Sequence, residues 1–140
     1  MKKTFVIFLL MSLFIVSCKK EKATPVLLLN ESTDTGAVLK YKGSFTNGSY
    51  GTVSGKAKIY LQKGTYKLVL DTVNISNGPD LHVYLSKELQ PVNFIDLGKL
   101  KSIAGNQVYS ITGSPDFTQY KFALIHCQQY NHLFGSAVLQ

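Results

Sequence analysis

Cys127 and the histidines His82, His126 and His132 are the side chains of this sequence best suited to redox, nucleophilic or metal chemistry. A thiolate can lose electrons or bind a metal, and a neutral imidazole can take a proton or donate its ring nitrogen to an ion. Adjacent residues on a strand project to opposite faces, so His126 is poorly placed to take the proton of Cys127. No carboxylate close in sequence orients that histidine either, which speaks against a nucleophilic hydrolase. His82 upstream, then Cys127 and His132 with four residues between them, follows the ligand order of a mononuclear copper site. The usual axial methionine is missing from that set, because Met1 and Met11 both lie far upstream. The alternative for His82 and His132 is an ordinary surface or loop position.

Other constellations are weaker. Asn77, Asp80 and Asp96 do not form the ladder of oxygen ligands that a calcium loop needs. Asp80 in Asn77-Gly78-Pro79-Asp80 reads instead as a turn residue whose carboxylate bonds the amides that follow it. The eight tyrosines suit either a sugar-stacking platform or half-buried strand positions, and the absence of tryptophan favours the second.

The N-terminus states an address. Met1, Lys2 and Lys3 precede an apolar run from Phe5 to Met11, continued by Leu13 to Val16. A cationic start, a short apolar stretch and a small residue before the cut describe a secretory signal peptide, here residues 1–17. Ile15-Val16-Ser17-Cys18 resembles the lipobox of bacterial lipoproteins, in which the cysteine is acylated and becomes the first residue. The expectation is a protein held on the bacterial cell envelope, at the outer membrane, by fatty-acyl chains such as palmitate on Cys18, with the lipid bilayer as its first partner. Cys127 then has no cysteine partner within the chain, which removes an internal disulfide and any C-x-x-C redox pair.

Charge narrows the rest. The formal net charge is +7, carried by lysine without a single arginine, and Lys2 and Lys3 leave with the signal. Bidentate phosphate or base recognition favours arginine, so nucleic acid is not an expected partner. Residues 18–37, rich in Lys, Glu, Asn, Ser and Asp around a short Val26–Leu29 run, read as a flexible tether.

The elements that must position Cys127 and the histidines begin at Val38, where the pattern changes to short β-rich runs punctuated by Gly and Asn. Val38–Phe45, Lys56–Leu61, Tyr66–Leu70, Leu81–Leu85, Phe94–Leu97, Val108–Ile111, Gln119–Gln128 and Leu133–Leu139 are the expected strands. Asn47-Gly48 and Lys63-Gly64 mark tight turns between them. The run from Gln119 to Gln128 is apolar on both sides, as in a strand covered on both faces, with Cys127 sharing a side with Ala123 and Ile125. No window holds a helical period. The expected fold over residues 38–140 is therefore all-β, an antiparallel β-sandwich or partly open barrel of about eight strands.

Several motifs in this order resemble one family. They are Val53-Ser54-Gly55-Lys56-Ala57, Gly78-Pro79-Asp80-Leu81-His82-Val83-Tyr84-Leu85-Ser86, Leu97-Gly98-Lys99-Leu100-Lys101 with Gly105-Asn106-Gln107-Val108-Tyr109, and Ile125-His126-Cys127 followed by Phe134-Gly135-Ser136-Ala137. Together they resemble the electron-transfer DM13 domain family over roughly Tyr41 to Leu139. The resemblance implies an all-β domain whose characteristic cysteine maps onto Cys127. It implies a redox or electron-transfer role through a bare thiol or a bound group such as haem, with a redox partner in the envelope. A reading from another class is a non-enzymatic envelope binding or structural module in which Cys127 is a core side chain. The mononuclear copper carrier using His82, Cys127 and His132 is the third.

Overall fold

The structure, a computed structural model, describes residues 23–140. Nine strands make up the fold: β1 (Leu28–Asn30), β2 (Val38–Asn47), β3 (Val53–Gln62), β4 (Thr65–Ile75), β5 (Leu81–Ser86), β6 (Phe94–Lys99), β7 (Ala104–Ile111), β8 (Phe122–Cys127) and β9 (His132–Val138). They form one sheet in the order β1-β7-β4-β3-β2-β9-β8-β5-β6, curled into a partly open barrel. No helix of the described residues is long and apolar enough to cross a membrane.

Local chemistry explains the hairpins. Gln62 pairs with Thr65, leaving a two-residue loop in which Lys63 and Gly64 both have positive φ, 48° and 77°. That is the backbone of the primed turn whose twist matches the flanking strands. The β2–β3 connection is pinned differently, with Asn47 Oδ1 accepting from the Val53 amide at 2.9 Å. β8 starts three residues later than the apolar run suggests, because Asp116 holds residues 116–120 in a turn. Its carbonyl accepts from the amides of Gln119 and Tyr120, and its carboxylate from the amide of Thr118.

The sheet curls because β2 serves two partners. Val38–Ser44 pairs with β3, and Phe45–Asn47 pairs with β9. Where β2 changes partner, a side chain on Gly43 would strike the backbone of Val138, so only glycine lets the two strands pass so closely. Bulges in β2, β4, β6 and β9 add local bends. The enclosed core contains Ile59, Leu68, Leu70, Leu81, Val83, Leu85, Ile111, Ala123 and Ile125, each 0–1% exposed. At about 25 cal/mol per Å² of apolar surface removed from water, these side chains supply the main drive for folding.

Eight expected strands are present, and the ninth corrects the reading of residues 18–37 as a flexible tether. Leu28–Asn30 pairs in parallel with Ala104–Asn106 of β7. Ala23 bridges Pro79, and the Pro25 carbonyl accepts from Ile103 N at 3.1 Å and Ser102 Oγ at 3.1 Å. Ser102 Oγ also reaches the Leu27 carbonyl. Glu31 accepts from Val108 N and Lys101 Nζ, both at 2.7 Å. Among the described residues the folded unit therefore takes in the chain from Ala23 onward, where Val38 was expected as its start. The parallel β1–β7 pair also makes the sheet mixed, where the expectation was antiparallel throughout.

Gly105 is where β1 docks. Its φ is +95°, and a Cβ there would collide with the backbone of Leu29. Gly105→Ala should therefore cost about 2 kcal/mol, the scale of an L-residue forced into that backbone region. Urea unfolding measures the loss, and hydrogen exchange should show the Glu31 amide, which donates to the Asn106 carbonyl at 3.0 Å, losing protection first.

Candidate functional site

β5 and β8 lie side by side, with Leu81 opposite Cys127, His82 opposite His126 and Tyr84 opposite Leu124. Directly opposed residues share a face. Leu81, Val83, Leu85, Ala123, Ile125 and Cys127 all belong to the core cluster, whereas His82, Tyr84, Leu124 and His126 face the other way. Both faces are nonetheless covered: every residue of β5 is buried, and so is β8 from Ala123 to Cys127.

Cys127 is a free thiol, 1% exposed, set among apolar core side chains. His126 is its neighbour in sequence but lies on the opposite face, so the pair cannot exchange a proton directly. His132 is opposite Cys127 in register, and its ring stacks on Tyr50 at 3.5 Å with an interplanar angle of 4°. Two open grooves lie elsewhere. One of about 290 Å³ is lined by Lys42, Gly43, Ser44, Lys56 and Gln140, and one of about 150 Å³ adjoins Glu31, Lys58 and Asp71.

His82 is held between two carboxylates. Its Nδ1 lies 2.9 Å from Asp96 Oδ2, and its Nε2 lies 3.3 Å from Asp80 Oδ1. Asp96 is fixed in turn by accepting from the Gly98 amide at 2.8 Å, and Asp80 by Lys99 Nζ at 3.4 Å. The carboxylate of Asp80 thus serves the His82 ring and Lys99, where a bond to the following amides was expected. The turn needed Asp80 for another reason, a positive φ of 49°. The spacing of Asp80 and His82 could have signalled a same-face pair, but Asp96 joins them only through the β5–β6 register.

His126 is the outlier. It is 2% exposed, and neither ring nitrogen has a hydrogen-bond partner. Its ring stacks on Tyr84 at 5.3 Å, and Tyr84 stacks on Phe94 at 4.3 Å. Burial pushes the imidazole pKa below its ordinary 6.5. The Asn131 side chain opposes this without reaching hydrogen-bonding geometry, and nearby His132 and His82 reinforce it. Burial, with help from Asp96, likewise pushes the Tyr84 phenol up to about 12. Most of the tyrosines serve packing: Tyr84 and Tyr109 are buried, and Tyr41, Tyr66 and Tyr120 pack on the core.

The copper set is not assembled. His82 and Cys127 point to opposite faces, and both nitrogens of His82 already face carboxylates. Among the described residues no three His, Cys, Asp or Glu side chains are arranged to hold a metal ion. A haem beside Cys127 does not fit these residues either, since the thiol's face of the sheet is filled by the packed core and opening a haem-sized space would displace it. Cys18 lies outside the described residues.

An unpartnered buried imidazole has a measurable consequence. The unfolded chain binds a proton at His126 near pH 6.5, while the folded chain does so only at lower pH. The stability this residue confers is complete above about pH 6.5 and declines as pH falls from there toward the folded value. His126→Phe should flatten this limb of a stability-against-pH curve, leave the steeper carboxylate limb at lower pH, and cost nothing at pH 7. Urea midpoints from pH 7.5 to 5 read both effects.

No curated protein and no solved structure matches the chain. A family model described as electron transfer DM13 matches residues 44–139, a span that takes in the partner-switching end of β2, all of β3 to β9, and Cys127. With more than half of its length matched, this all-β chain belongs to the electron transfer DM13 family.

Proposed function

We propose that this protein is a lipid-anchored envelope component that carries electrons, with Cys127 as the residue that enters the redox step. The observation that carries the proposal is the family match, whose span holds Cys127, the free cysteine among the described residues. Cys127 enters redox chemistry by thiol–disulfide exchange, its thiolate attacking a disulfide of another molecule to form a mixed disulfide while the displaced sulfur leaves as a thiolate. That requirement makes the partner an envelope redox protein carrying a disulfide, or a small disulfide. Its burial means that Cys127 reacts when β8 and β9 part, so access rather than acidity sets the rate.

A second reading is favoured by one specific observation. At 1% exposure, Cys127 has the environment of an inert core residue. The protein would then be a binding or structural module of the envelope.

A thiol-reactive probe applied to the folded protein separates the two. The redox proposal expects slow labelling under native conditions, at a rate that does not depend on global unfolding. It also expects a one-thiol redox titration that disappears in Cys127→Ser while the fold survives. Labelling only as fast as the protein globally unfolds would overturn it and leave the module.

The anchor has its own test. If Ile15-Val16-Ser17-Cys18 directs acylation, the protein partitions into the detergent phase, and Cys18→Ala moves it to the aqueous phase or blocks its processing. Unchanged partitioning of the variant would exclude lipid as the anchor.

A further inference from the structure

The point at which the chain enters the domain fixes how the domain can sit above its anchor. Ala23 bridges Pro79, Thr24 is 7% exposed with its carbonyl bonded by Asn77 Nδ2 at 3.2 Å, and Pro25 is tied to Ser102 and Ile103. Ala23 is five residues from Cys18, so the two Cα atoms are at most about 18 Å apart. A tether of twenty residues would let the domain tumble; one of five holds a particular face toward the bilayer.

That face is apolar where it need not be. Val26, Leu27 and Leu28 are consecutive and 71%, 65% and 82% exposed. Three large aliphatic side chains in a row, left in water, are unusual on a soluble surface. Tyr50 and Tyr130, 58% and 55% exposed, belong to the same end of the barrel. The register places them there: Val53 pairs with Ile75, Asn74 with Ala104, Asn47 with Gly135 and Cys127 with His132, so the loops holding both tyrosines lie at the same end of the strands as the start of β7, where β1 docks. Lys19, Lys20 and Lys22 lie in the short span between this end and the acyl site.

We propose that this end of the barrel is a membrane-docking face, with Val26, Leu27 and Leu28 seated in the lipid surface and Tyr50 and Tyr130 at headgroup level. The proposal rests on the acylation of Cys18. Tether length selects the bilayer as occupant, since no other surface must come within five residues of Ala23. Lysine charge complements anionic headgroups, and tyrosine, apolar with a polar tip, suits the interface. Acyl chains and an apolar strip together hold the domain more firmly than chains alone.

The chain has no tryptophan, so one introduced reporter is unambiguous. The acylated full chain carrying Leu28→Trp, and separately Val26→Trp, is reconstituted in vesicles of phosphatidylethanolamine and phosphatidylglycerol with brominated acyl chains. Val92→Trp is the reference, because Val92 is 77% exposed in the β5–β6 connection at the opposite end of the barrel. The expected result is a bromine-dependent fall in emission of about twofold or more for Leu28→Trp and Val26→Trp, with Val92→Trp nearly unchanged. Protein that floats with the vesicles but shows no quenching at either position overturns docking and leaves the anchor standing. Protein that does not float overturns both. A blue shift without bromine quenching means that a second copy covers the strip, and also overturns the proposal.

Discussion

Burial of β5 and β8 on both faces is the constraint from which the arrangement of the site follows. A strand covered on one side can put polar residues into water on the other; a strand covered on both must satisfy each polar side chain within the protein. Ser86 does so by donating to the Glu88 carbonyl at 2.7 Å, and His82 through Asp96 and Asp80. His126 does not, and only its stacking on Tyr84 keeps company with the ring. On the inner face the same constraint surrounds Cys127 with aliphatic side chains. The outer layer thus holds the two imidazoles and the inner layer the thiol, and the two candidates for chemistry are one peptide apart on opposite sides.

Much of this was legible in the sequence because period-two alternation is a local signal. It located eight strands, paired β3 with β4 around Lys63-Gly64, and separated His126 from Cys127 correctly. What it could not carry was register between distant strands. His82 and Asp96 are fourteen residues apart and meet only once β5 and β6 align. The covering of the outer face of β8 was suggested by Leu124, but the isolation of His126 depends on which neighbours fail to supply a donor, and no pattern within one strand encodes that.

The N-terminal segment escaped for a different reason. Its attachment uses backbone carbonyls of Pro25 and Leu27, a three-residue strand and the Glu31 carboxylate, with almost no apolar burial. Composition measures the capacity to form a core, so a segment bound by its main chain reads as a linker.

The parallel pairing of Leu28 with Ala104 also sets an order of events. Closing a contact over so long a stretch of chain is slow compared with forming the β3–β4 hairpin, and it cannot start until β7 exists to receive it. In any delivery that begins from the N-terminus, residues 23–30 wait unpaired while most of the domain is still arriving. The first strand of the described chain is thus completed only when the seventh arrives beside it.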